Sequence, residues 1–190
     1  MGIGAKALAK LVNSTRSRTR LLCISALAAT ALTGCIRSST PILTDAKPVL
    51  GQQGQIHSYE IRDGGAREPT VLNYRWNGSR YLFRGRNEGI RDFTVFPYEG
   101  RDLIVQSTAT KPPHATEYAL ARRLTEGVYL IVPIDESDAD EAPREKFCTK
   151  TQDTSCGVTT PEQLFVFARA SAEKAQDRGA VAVIVPGGAP

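Results

Sequence analysis

Histidine is almost missing from this chain: His57 and His114 are the only two in 190 residues, 57 positions apart. That scarcity excludes a His-Glu-x-x-His metal helix. No Gly-x-Ser-x-Gly elbow and no phosphate-cradling glycine loop occurs either. The sequence therefore carries no signature of a zinc hydrolase, a serine hydrolase of that type or a nucleotide-binding enzyme. Long apolar runs are also lacking. The most apolar stretch, Leu21 to Ala31, extends to Ile36 only by including Ser, Thr and Gly, and reaches sixteen positions. A membrane-spanning helix needs about 20. Cysteine is sparse, with four residues and no Cys-x-x-Cys pair, which argues against a thiol redox motif and a zinc ribbon.

What the N-terminus has is order. Lys6, Lys10, Arg16, Arg18 and Arg20 come first, without a single acid, and the apolar run follows. A basic stretch followed by roughly 7–15 apolar residues is the layout of a secretory signal. The run ends in Leu32-Thr33-Gly34-Cys35. This tetrapeptide resembles the lipobox of bacterial lipoproteins: a Leu, two small residues that let an extended backbone enter a protease, and a Cys whose thiol takes up a diacylglyceryl group. The resemblance covers the first 35 residues and implies removal of residues 1–34, lipid attachment at Cys35 and anchoring by two or three acyl chains, since one chain holds only marginally. The competing reading is ordinary cleavage after the Ala29-Thr30-Ala31 sequence, which would release a soluble chain. Residue 36 is Ile and not the Asp that tends to retain such proteins at the inner membrane. The expected location is the cell envelope, at the outer membrane facing the periplasm.

The basic balance of the whole chain belongs to that leader. Five of the 24 Lys and Arg and none of the 20 Asp and Glu precede Cys35, so 19 bases face 20 acids beyond it. Net charge thus gives no reason to expect nucleic acid as a partner. Beyond Cys35, the remaining thiols Cys148 and Cys156 form an even pair, which in an oxidising compartment reads as a disulfide. In the chain-entropy model, closing so short a loop stabilises by about 2.5 kcal/mol.

Residues 36–55, rich in Ser, Thr, Pro, Gly and Gln, read as part of a flexible tether spanning 35–55, and deletion of 36–50 is expected to leave the melting temperature unchanged. A single envelope domain is expected over 56–186, with 187–190 as a loose tail. Within it, Asn77-Gly78, Glu99-Gly100 and Glu126-Gly127 each separate two short runs of β-forming residues, a hairpin pattern. Pro97 lacks a donor and places its strand at an edge or a bulge. Thr160, Pro161 and Gln163 signal a helix start, and Leu164, Phe165, Ala168, Ala172 and Ala175 mark its apolar stripe. Residues 180–185 read as a buried strand. The expected fold is α+β: an antiparallel meander of about six strands with one C-terminal helix and a final short strand packed on the sheet.

Two clusters invite a functional reading. Arg75, Arg80, Arg84, Arg86 and Arg91 lie among Tyr74, Trp76, Tyr81 and Phe83. Arginines beside exposed rings could grip an anionic envelope polymer, whereas strand alternation predicts rings in the core and arginines on the solvated face. The acidic run from Asp135 to Glu141 offers oxygen ligands at Asp135, Asp138 and Asp140 but lacks the order and glycine of a calcium loop; it reads as a solvated loop, with no metal and no cofactor expected. The sequence points to a membrane-anchored, non-enzymatic binding or structural module. An inhibitor or assembly accessory of another envelope protein is the second reading, and a hydrolase of an envelope polymer the third.

Overall fold

The computed structural model describes residues 36–60, 69–84, 90–108, 115–150, 155–174 and 179–187. Cys35, and with it the leader, lies outside the described residues. After β1 (Ile36–Ser38) come seven strands, of which β3 to β8 each pair antiparallel with the one before: β2 (Gln53–Glu60), β3 (Thr70–Trp76), β4 (Tyr81–Arg84), β5 (Ile90–Pro97), β6 (Leu103–Thr108), β7 (Thr116–Thr125) and β8 (Val128–Pro133). A 3-10 turn (Glu136–Asp138), α1 (Glu141–Phe147), the short strands β9 (Thr149–Lys150) and β10 (Cys156–Gly157), and α2 (Pro161–Lys174) lead to β11 (Ala180–Pro186). The last strand pairs antiparallel with both β2 and β8, from Ala180↔Glu60 to Pro186↔Gly54 and from Ala180↔Ile131 to Val183↔Val128. The result is a closed antiparallel barrel of eight strands, β2 to β8 plus β11.

This overturns the α+β expectation of an open six-strand meander. The three Gly turns connect β3–β4, β5–β6 and β7–β8, and Gly78, Gly100 and Gly127 adopt positive φ. Those hairpins do not stop at an edge, because β6 pairs with β7 over Leu103↔Ala121 to Thr108↔Thr116. β11 is a stave of the barrel with partners on both sides. Closure also explains Pro97: it ends an interior strand, opposite Leu103, and needs no edge.

Strand alternation divides the molecule into two cores. Facing inward, Tyr74, Tyr81, Phe93, Val95, Leu103 and Ala121 are buried. Tyr81 is central, with ring centroids 4.9 Å from Trp76, 5.0 Å from Phe93 and 5.4 Å from Tyr74. Facing outward from β5, β6 and β7, Phe96, Ile104, Tyr118 and Leu120 form a second core with α2 and with Ile36, Leu43, Ile134 and Val158. The helix begins as its capping signals indicate: Gln163 Oε1 accepts from the Thr160 amide at 3.3 Å, and Thr160 Oγ1 accepts from the Gln163 amide at 3.4 Å. Its buried face is Leu164, Phe167, Ala168 and Ser171, about one position off the expected stripe. Phe165 instead packs at the margin, 5.3 Å from the Tyr98 ring.

Residues 36–55 are not a tether. Ile36 is fully buried, its amide donates to the Ile134 carbonyl at 3.0 Å, and β1 pairs with β7 on one side and β10 on the other. The strap that follows is pinned by Gln106, whose side chain accepts from the Leu43 amide at 3.0 Å and donates to the Leu43 carbonyl at 3.2 Å. Further on, Leu50 caps one barrel end: its carbonyl accepts from the Tyr74 hydroxyl at 2.6 Å and its amide donates to the Tyr81 hydroxyl at 2.8 Å. Short, irregular segments with few apolar residues hide such contacts from a composition reading. Cys148 and Cys156 are disulfide-bonded, with Cα atoms 4.9 Å apart, and clip the β9–β10 hairpin beside β1.

Candidate functional site

The described surface is indented where the strap crosses the outside of the barrel. Pro41, Thr44 and Asp45 form one bank of a groove of about 670 Å³, the β3–β4 turn at Gly78–Arg80 forms the other, and Thr94, Phe96 and Gln106 line its floor. The turn is rigid for a local reason. Asn77 Oδ1 accepts from the amides of Ser79 and Arg80 at 3.1 and 3.0 Å, and Gly78 supplies the positive φ of 100°. This fixes Arg80, whose guanidinium meets the Asp92 carboxylate at 2.8 Å. On the strap, Asp45 is exposed and holds a left-handed φ of 59°, uncommon for a residue with a side chain. The groove thus presents two carboxylates, one guanidinium and the Thr94 and Gln106 side chains, themselves 3.2 Å apart and hydrogen-bonded. Its lining is mixed: Pro41, Leu43, Ala46, Phe93 and Phe96 place apolar surface beside these polar groups.

Only part of the expected arginine surface falls here. Arg80 lines the groove, while Arg75 is exposed on the outside of β3, next to Gln53 on β2. Arg84 and Arg91 lie on β4 and β5, but their side chains, like the whole of Arg86, are outside the described residues. The rings expected as stacking partners turn inward. Tyr81 is fully buried, Tyr74 nearly so, and burial pushes both hydroxyls up, that of Tyr81 to about 12. A grip that depends on stacking against Tyr74 or Tyr81 is therefore not available, and alternation accounts for the arrangement.

The acidic run is also used internally. Asp135 caps the 3-10 turn through the Ser137 amide at 2.8 Å, and buried Asp138 accepts from Ser171 of α2 at 2.7 Å. This corrects the expectation of a solvated loop: the run docks α2 against the barrel. Glu136 approaches the disulfide, its Oε2 3.0 Å from Cys148 Sγ. With the two sulfurs bonded to each other, a single carboxylate remains there, which is not a metal-ligand set. His57 stands on the outside of β2 and bonds the Gln55 side chain at 3.1 Å, an amide and not a carboxylate; His114 lies outside the described residues.

No family model, curated protein or solved structure matches the chain.

Proposed function

We propose that the chain is a lipid-anchored protein of the bacterial envelope whose barrel serves as a non-catalytic binding or structural module. The observation that carries this reading is the order of the segments: basic residues, an apolar run, Leu32-Thr33-Gly34-Cys35, and then, one residue later, a buried strand. A removable leader that ends where the folded domain starts suits a protein whose first mature residue is Cys35. The disulfide supports export to an oxidising compartment, since such bonds are rare in the reducing cytosol.

The groove supports recognition. Its polar groups are held in mutual contacts, Arg80 with Asp92 and Gln106 with Thr94 and Leu43, and such preorganised donors and acceptors suit a polar ligand. With two carboxylates against one guanidinium that is already paired with Asp92, the groove fits polar or cationic groups of another envelope protein better than an anionic polymer. The deciding measurement is the intact mass of protein extracted from membranes, beside a Cys35→Ala variant. The expected wild-type mass is residues 35–190 plus acyl chains, a species missing from the variant. An unacylated chain beginning at Leu32 in both samples would overturn the reading.

A further inference from the structure

The outer face of β11 and β8, with Val71 of β3 beside it, departs from the pattern of a solvated sheet. Antiparallel strands with one wet face normally alternate apolar and polar residues. In β11, Ala180, Ala182 and Ile184 turn inward, yet Val181, Val183 and Val185 turn outward. Cross-strand register extends this into a wall. Val71, His57, Val183 and Val128 form one row across four strands, and Tyr59, Val181 and Leu130 form the next. Val71 and Val185 are each 42% exposed. Among the described residues, α2 and the strap cover the other side of the barrel, on β5 to β7 and the end of β8. Gln55, Asn73 and Arg75 give the wall a polar rim.

We propose that this wall rests on the bilayer that holds the lipid of Cys35, an inference that builds on the lipoprotein reading above. The position of the anchor selects this occupant. Ile36 is buried and hydrogen-bonded to Ile134, so the lipid-bearing residue has its Cα about 3.8 Å from that of a fixed residue. No slack chain separates lipid from fold. Ile134 directly follows β8, and Leu130 of the wall stands four residues back along that strand, about 13 Å away. An anchor this short holds the barrel against the membrane and brings the adjoining side toward it. The adjoining side is apolar on β11 and β8, with His57, Tyr59 and the polar residues of β2 and β3 suited to the headgroup level. Burying it in the interface adds apolar contact to the acyl chains.

The test uses the acylated full-length protein, with mass checked first, in vesicles of phosphatidylethanolamine and phosphatidylglycerol. An environment-sensitive probe is attached singly through Val71→Cys, Val185→Cys or Ser79→Cys, the last on the groove side. The expected result is blue-shifted emission at 71 and 185, with quenching by nitroxide lipids several-fold stronger than at 79. Solvent-like emission at all three sites, in protein whose mass shows acyl chains, overturns the apposition while leaving the lipoprotein reading intact. A blue shift at 71 and 185 that grows with protein density, without lipid quenching, assigns the wall to a second copy and also overturns it. An unacylated mass removes the anchor, and the proposal with it, before any probe is read.

Discussion

Tyr81 puts an ionisable hydroxyl inside the barrel at the end that Leu50 caps, fully buried, with the Leu50 amide as its donor. Burial disfavours the phenolate, so the folded protein holds this proton up to about pH 12 while the unfolded chain releases it near 10. The folded state then binds the extra proton between those values, and stability falls as pH rises through that window, by about 1.4 kcal/mol per pH unit for one such group. Below pH 10 the group contributes no slope. Tyr74, Tyr98 and Tyr118 are shifted the same way, mainly by burial, and steepen the loss. Urea titrations between pH 9 and 12 should show the decline, and Tyr81→Phe should make it shallower; equal slopes would mean that Tyr81 is not the buried acid. Gly54 tests the same end of the barrel. A Cβ there would stand 2.6 Å from the Tyr74 hydroxyl oxygen and closer still to the Val185 carbonyl oxygen, which is backbone and cannot swing away. Gly54→Ala should cost about 1–3 kcal/mol, as overpacking does, readable as a lower urea midpoint.

At the level of elements, β1 and the strap carry a load that their composition conceals. Ile36 fills the outer core among Ile134, Leu164 and Val158, so Ile36→Ala should destabilise by about 2–5 kcal/mol. Removing residues 36–50 should lower the melting temperature strongly, opposite to what a tether would give. The β9–β10 clip is a smaller contributor: Cys148→Ala should cost no more than about 2.5 kcal/mol under oxidising conditions. Legibility followed the local signals. Asn77-Gly78 announces its hairpin because Asn77 and Gly78 do the turning themselves, and Thr160 with Gln163 announces α2 because the cap is made within four residues. β1 and β2 rest on distant partners. Three residues of β1 are strand because β7 and β10 flank them, and Gly54 sits in β2 because Tyr74 and Val185 leave no room for a side chain. The arginines were visible as a cluster in sequence, yet only Arg80 among those with described side chains reaches the groove. The strap that forms its other bank has the composition of a linker, and only its distant partners give it a place.

For the molecule as a whole, closure depends on the final strand. β2 and β8 are far apart in sequence and do not pair with each other; β11 joins them, bonded to both. An open barrel would expose two strand edges, each a template for pairing with another chain. It would also expose the inward side of Ile56 and Ile131, which pack with the aromatic core. A chain ending at residue 178 should therefore do more than lose a few contacts. It should lose its cooperative unfolding transition and form oligomers on size exclusion. The missing edge has a defined register, so a peptide of residues 179–190 should add as a strand between β2 and β8. Supplied during refolding, it should restore a monomer with a cooperative melt. A peptide with Ala182→Glu, which would place a charge inside the barrel where Ala182 is buried, should fail. If the truncated chain melts cooperatively as a monomer without the peptide, β11 is an accessory strand and the barrel is held together by its first seven staves alone.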